Sequence, residues 1–230
     1  MVPEISHVIF DLDGLLVDTE RCYTAANSET CAEFGKEFNM EIKAQMMGRT
    51  SQEAIKILLE YYQLQGKVAV EEYGKICAEK LKELLPKASL LPGALKVIEY
   101  FHKNCVPMAI CTGSGTVDFA FKTQNHHQVL DMIPIRVLTG DDPEVKRGKP
   151  APDGFLVTMN RFQVIPTDPK HILVFEDAAN GVEAALAAGM RVCAVPTLGV
   201  PFPETTRERA DIVLNSLEEF DPKMFGLPTL

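Results

Sequence analysis

The sequence contains no tryptophan, no pair of cysteines spaced C-x-x-C, and no apolar run approaching the ~20 residues that a bilayer-spanning helix needs. Its six cysteines, Cys22, Cys31, Cys77, Cys105, Cys111 and Cys193, are scattered, which argues against a zinc site or a disulfide framework and for reduced, mostly core thiols. The five histidines fall at no metal-binding spacing, and the pair His126-His127 is expected at a solvated helix end. Positive charge is short as well. With 23 Lys and Arg against 32 Asp and Glu, the net charge is -9 and the pI about 5.1, which excludes sequence-independent binding to a nucleic acid polymer. Residues Met1 to Ser6 lack the basic and apolar regions of a signal peptide, so a cytoplasmic location without a membrane partner is expected. What remains is an ordinary globular composition, 46% hydrophobic and 24% charged, over 230 residues, enough for one large domain or two small ones. An acidic chain of this kind that handles an anionic substrate needs a locally positive pocket.

The stretch that organises the chain is His7-Val8-Ile9-Phe10-Asp11-Leu12-Asp13-Gly14, a strand-forming apolar run that ends in two carboxylates and a glycine. Side chains repeat their direction every second residue along a strand, so Asp11 and Asp13 leave its end on roughly the same side. Two such carboxylates repel one another and resist desolvation unless a positive group lies between them, and a hard divalent cation bound by oxygen is the simplest one. Asp-x-Asp-Gly also suits an ordinary turn. A calcium-binding helix-loop-helix nearly fits, with Asp11, Asp13, Gly14 and Glu20 at loop positions three, five, six and twelve, but its first ligand would be Ile9 and a strand precedes it.

From Val17 to about Leu85 the pattern is helical. Asp18-Thr19-Glu20 can cap a helix through Tyr23 to Phe34, and Thr50-Ser51-Gln52-Glu53 reads as a capping box before a second apolar face. A third helix is expected from Val70 to Leu84, stopped by Pro86. Beyond Pro86 strands and helices alternate. Val106–Cys111, Ile135–Leu138, His171–Phe175, Arg191–Val195 and Ile212–Leu214 read as strands, with helices between them. Continuous apolar strands separated by helices imply an α/β fold: a Rossmann-like parallel sheet core, residues 1–16 and 86–230, with a small helical-bundle cap, residues 17–85, inserted after the first strand. The two crossings between these parts suggest a hinge.

Four polar clusters fall at strand ends or lead into the next helix, where open parallel sheets bind ligands: Asp11 with Asp13, Thr112 with Gly113, Lys149, and Glu176 with Asp177. Each alone has a plain explanation as a helix cap or a solvated basic run. Together they suit phosphoryl transfer, which needs charge neutralisation, an in-line nucleophile and a proton donor for the leaving oxygen. Asp11 can attack phosphorus, and Asp13 can protonate the leaving group and later activate water. Mg²⁺ is expected on the Asp11 carboxylate, the Asp13 backbone carbonyl and the Asp177 carboxylate. Thr112, Gly113 and the amides at the following helix start suit phosphate oxygens, and Lys149 supplies a fixed positive charge. Thr19, Glu20 and Arg49 are candidates for substrate choice. A phospho-accepting signalling domain is the rival from another class, but it does not explain a second acid two residues after the nucleophile. A dinucleotide-binding reading of Gly113-x-Gly115 fails because Asp118 stands at the third glycine position.

Asp11-Leu12-Asp13-Gly14, Thr112, Lys149-Pro150-x-Pro152 and Glu176-Asp177 together resemble the four motifs of the haloacid dehalogenase superfamily, across the whole chain. That resemblance implies Mg²⁺-dependent turnover through an aspartyl-phosphate, with the acid at Asp13 favouring the phosphatase branch over the dehalogenases. Mutase relatives carry a His where this chain has Tyr23, which disfavours a phosphomutase. Gly140-Asp141-Asp142-Pro143-Glu144-Val145, Val174 to Ala185 and the ending Leu214 to Pro228 narrow the resemblance to members acting on a small nucleotide such as pseudouridine 5'-phosphate, with a sugar phosphate as the alternative. The implied partner is a small phosphorylated metabolite, and a monomer is expected.

Overall fold

The apolar runs become six strands in the computed structural model, which describes residues 4–46, 51–197 and 199–228. They are β1 (His7–Phe10), β2 (Met108–Thr112), β3 (Ile135–Leu138), β4 (Ile172–Glu176), β5 (Arg191–Ala194) and β6 (Ile212–Val213). All pair in parallel in the order β3-β2-β1-β4-β5-β6, so β1 lies inside the sheet, with Val8 opposite Met108 on one side and Leu173 on the other. The chain order reverses direction between β1 and β4, the kind of point at which such sheets open a crevice. β2 starts later than the residue pattern suggests because Pro107 has no amide to donate, although its carbonyl still accepts from Val8. β4 runs one residue further than expected and takes in Glu176.

The chain divides into two compact units, Met1–Asp18 with Ser89–Leu198 and Phe202–Leu230, and Thr19–Ala88 with Gly199–Pro201. The second unit is built from α1 (Thr19–Glu33), α2 (Met40–Met46), α3 (Ser51–Tyr61) and α4 (Val70–Leu84), and among its described residues it has no strand. The apolar spacing places α4 correctly, while α2 goes unanticipated: it buries only Ile42 and starts on Asn39, whose side-chain oxygen accepts from the Ile42 amide. Seven residues with one inward side chain carry too little periodicity to read. Thr50, expected as an N-cap, lies outside the described residues. The helices bury Ala26, Cys31, Ile42, Leu58, Leu59, Tyr73 and Cys77 together. They also line an open pocket of about 520 Å³ bordered by Glu20, Tyr23, Asn27, Lys43 and Leu81 among others.

In the first unit, α5 (Ala94–Lys103), α6 (Thr116–Thr123), α7 (His127–Leu130), α8 (Asp153–Asn160), α9 (Ala179–Ala187) and α10 (Glu204–Arg207) complete the fold. Because β1 alternates, Ile9 packs on one face with Ala109, Val174, Phe155 of α8 and Val182 of α9. Phe10 packs on the other, 5.1 Å from the ring of Phe175 and 6.1 Å from that of Phe101. Each of the fully buried Ile, Val and Phe side chains among these contributes about 1.5–3 kcal/mol relative to exposure. All six cysteines are free, and only Cys105 is exposed. Among the described residues no helix is long and apolar enough to cross a membrane.

His7, on the Ile9 face, is buried against Phe162 with its ring centroid 4.6 Å away. Its Nε2 donates to the Val164 carbonyl at 2.7 Å, and its Nδ1 lies 2.8 Å from Ser6 Oγ, a hydroxyl that can donate to the neutral ring. Burial lowers its pKa from 6.5, against the opposing pull of the Val164 carbonyl and with a smaller push from His171. The unfolded chain therefore takes up this proton first, and stability falls as the pH drops below the ordinary histidine value. Denaturant titrations at neutral and mildly acidic pH should show this loss, and His7→Gln should flatten the profile.

Candidate active site

Asp11 follows β1 directly, and its amide continues the ladder to β4 by donating to the Phe175 carbonyl at 3.0 Å. The chain then folds back on itself, with the Leu16 and Val17 amides bonded to the Leu12 carbonyl. Gly14 makes this possible, since its φ is +78° and a Cβ there would collide with Asp177 Oδ2 and lie 2.8 Å from Thr197 Oγ1. The tight return leaves Asp11 and Asp13 in different surroundings.

Asp11 joins Glu176, Asp177 and Lys149. Lys149 Nζ donates to Asp11 Oδ1 at 2.5 Å, to Glu176 Oε1 at 2.6 Å and to the Cys111 carbonyl at 3.1 Å. Its side chain is only 12% exposed, against 72% for Arg147, which pairs with Asp153, so Lys149 is not part of a solvated basic run. The Lys149-Pro150 peptide is cis. Glu176 Oε2 accepts from the amides of Asp177 and Ala178, and Gly181 of α9 packs so closely on this carboxylate that a Cβ there would overlap it. Glu176 therefore ends β4 and orders the start of α9, and both of its oxygens are occupied. Asp177 Oδ2 accepts from Thr197 Oγ1 at 2.5 Å.

Ligand atoms of Asp11, Glu176 and Asp177 lie within 4.8 Å of one another, and all three residues are buried. Burial, together with Glu176 and Asp13, pushes the Asp11 carboxyl up to about 7 despite Lys149. Burial and the neighbouring carboxylates likewise hold Asp177 well above the usual range. Burial by itself would lower the Lys149 pKa, but Asp11 and Glu176 overcome it and keep the ammonium charged. When ionised, three carboxylates facing one ammonium leave two negative charges in excess, all on oxygen. That donor set suits one hard divalent cation. With Glu176 already engaged, Asp11 and Asp177 are the carboxylates free to hold it.

Asp13 turns instead towards β2 and α6. Its Oδ2 accepts from Thr112 Oγ1 at 3.2 Å and Ser114 Oγ at 2.9 Å, and its Oδ1 lies 2.7 Å from Lys122 Nζ. Thr112 is buried at the end of β2, whereas Gly113 is exposed, with nothing within 4 Å of where a Cβ would stand. Two of the amides around the α6 start have partners within the chain. The Thr116 amide donates to Asp141 Oδ2 at 2.7 Å and the Ser114 amide to Thr112 Oγ1 at 3.1 Å, because a carboxylate from the loop after β3 already complements the helix end.

The structure thus brings Asp11, Lys149, Glu176 and Asp177 together, and Asp13 with Thr112. Thr19 and Glu20 open α1 in the helical unit, where Thr19 is buried and Glu20 pairs with Lys43 at 3.5 Å. Arg49 lies outside the described residues. Ser114, Lys122 and Thr197 complete the site without having been singled out in the sequence. One signal for Lys122 was available: Phe119, Lys122 and Thr123 recur at the spacing of one helix face, and that face is the buried one.

The chain is similar to several known proteins. A (DL)-glycerol-3-phosphatase 2 from Arabidopsis thaliana is 42% identical, over 97% of this chain and 92% of its own. A Drosophila melanogaster protein named "Probable pseudouridine-5'-phosphatase" is 40% identical, over 98% and 95% respectively. A HAD family hydrolase from Deinococcus radiodurans, solved with bound phosphate and sodium, shares the fold with a TM-score of 0.78 at 22% identity, covering 96% of this chain and 95% of that one. The family model described as haloacid dehalogenase-like hydrolase matches residues 8–195, from within β1 to just past β5, and it takes in every strand-end residue of the site. The chain belongs to the haloacid dehalogenase-like hydrolase family.

Proposed function

We propose that this hydrolase is a Mg²⁺-dependent phosphatase that cleaves small phosphomonoesters through an aspartyl-phosphate on Asp11. The observation that carries the reading is the separation of roles between two carboxylates two residues apart. Asp11 sits in the cluster of three buried acids beside Lys149, while Asp13 bonds to the hydroxyls of Thr112 and Ser114.

In the first step a carboxylate oxygen of Asp11 forms a bond to phosphorus, the bond from phosphorus to the ester oxygen breaks, and Asp13 gives its proton to the departing alkoxide. In the second step Asp13, now a carboxylate, takes a proton from water as that water attacks phosphorus, releasing inorganic phosphate and restoring Asp11. Lys149 fixes the Asp11 carboxylate from one side and keeps its charge next to the phosphoryl site, where a preoriented cation is worth most. Thr112 Oγ1 offers its proton to a phosphoryl oxygen. Asp11, Asp177 and the Asp13 backbone carbonyl are the groups that would hold Mg²⁺, which when bound neutralises the excess charge and withdraws electron density from the phosphoryl oxygens.

The relatives named for glycerol 3-phosphate and for pseudouridine 5'-phosphate stand at nearly the same identity. Of the two we propose the nucleotide as the substrate, on the motifs around Gly140, Asn180 and the C-terminal segment, with glycerol 3-phosphate as the second reading. Selectivity between them is assigned to Thr19, Glu20 and Arg49 of the helical segment. Phosphate release from a panel containing both compounds, sugar phosphates and an aryl phosphate tests this. Turnover should require Mg²⁺ and fall by more than about 10³-fold in excess EDTA, returning when Mg²⁺ is restored. Full activity without a divalent cation would overturn the mechanism, and a clear preference for glycerol 3-phosphate would overturn only the substrate.

A further inference from the structure

The side chain that the catalytic scheme leaves unexplained is Lys122. It lies on α6, its side chain is 4% exposed, and a buried ammonium is costly unless it is closely paired. Its Nζ lies 2.7 Å from Asp13 Oδ1 and donates to Ser114 Oγ at 2.7 Å. Ser114 Oγ in turn donates to Asp13 Oδ2 at 2.9 Å. Lys122, Ser114 and the Asp13 carboxylate therefore close a ring. A serine hydroxyl has one proton, and since the ammonium can only donate to Ser114 Oγ, that proton is directed to Asp13. Thr112 Oγ1 is placed in the same way, accepting from the Ser114 amide and donating to Asp13 Oδ2.

We propose that Lys122 is a positioning residue that, through Ser114, fixes the carboxyl group of Asp13 where it must exchange protons. The inference rests on the role given to Asp13 above and adds the device that aims it. Thr112 cannot hold both Asp13 and a phosphoryl oxygen with its single proton. When a substrate takes that proton, Asp13 keeps its hydrogen bond from Ser114 and its ion pair with Lys122. The carboxyl then pivots on the α6 ring instead of swinging free, and stays within reach of the leaving oxygen. A purely structural Lys122 would only stabilise α6 and would affect all substrates alike.

The test measures single-turnover release of the leaving group in the full-length protein with Mg²⁺, comparing an alkyl phosphate, whose leaving oxygen must be protonated, with p-nitrophenyl phosphate, whose leaving oxygen departs as an anion. Lys122→Met should slow the alkyl phosphate by about 10- to 100-fold, within the range of lost general acid catalysis, and the aryl phosphate by less than about threefold. Inhibition by inorganic phosphate should be unchanged. Lys122→Arg should recover part of the loss. Ser114→Ala keeps the ammonium and should show the same selectivity in weaker form, so the proposal remains testable if Lys122→Met does not fold. Asp13→Ala is the reference. If it slows both substrates alike, the general-acid reading of Asp13 fails. If it shows the selectivity but neither Lys122→Met nor Ser114→Ala does, the positioning role fails on its own.

Discussion

Asp11→Asn removes turnover by on the order of 10⁴-fold or more and leaves the metal-free protein at least as stable as the parent. The first half follows from chemistry, because an amide oxygen does not displace an alkoxide from phosphorus. The second follows from the site's charge. Asp11 is buried beside Glu176 and Asp177, and its carboxyl is already pushed up to about 7 by that environment. Replacing it with a neutral group of the same shape relieves repulsion, while Lys149 keeps Glu176 at 2.6 Å and the Cys111 carbonyl at 3.1 Å. Steady-state assays and thermal unfolding in EDTA measure the two halves together. An Asn variant that retains more than a few per cent of activity, or that unfolds well below the parent, contradicts this account.

The opposite result is expected at Lys149. Lys149→Met leaves Asp11 and Glu176 buried without their shared cation, and breaking a buried ion pair from one side costs about 3–5 kcal/mol. For a chain of this length that corresponds to a fall in unfolding temperature of roughly 6–20 °C, measured in EDTA. Activity is lost as well, since the charge beside the phosphoryl site is gone. Because the damage comes from unpaired carboxylates, adding Asp11→Asn to Lys149→Met should recover more stability than Asp11→Asn adds to the parent. That non-additivity separates an electrostatic cause from a packing defect, since the two side chains are in direct contact. Additive losses in the double variant would show that Lys149 stabilises the fold mainly through its contact with the Phe155 ring, 5.3 Å away.

The part of the site that could be read from sequence is the part attached to strand ends. Asp11, Thr112 and Glu176 each close or follow an apolar run, so a change from apolar to polar marks the place, and a parallel sheet puts those places on one edge. Lys149 was readable through its neighbour Pro150, although its bonds to Asp11 and Glu176 were not. Lys122 escaped notice because a lysine within a helix usually points to solvent, and Thr197 because it lies on a loop where no periodicity exists. The elements missed, α2, α7 and α10, are short helices set by local capping and turn bonds. The strand limits shifted by a residue or two where proline removed a donor or where Glu176 found partners beyond the apolar run.

The placement of β1 inside the sheet has a consequence for how the protein is made. β1 precedes every other strand, yet its two neighbours begin at Met108 and Ile172. During synthesis this buried, largely apolar ribbon therefore leaves the ribosome with both hydrogen-bonding edges open, and the second edge closes only when most of the chain has followed. Unpaired edges of this kind recruit other chains, and pairing across such long separations is slow. Incomplete chains ending before β4 should depend on chaperones far more than the finished enzyme does.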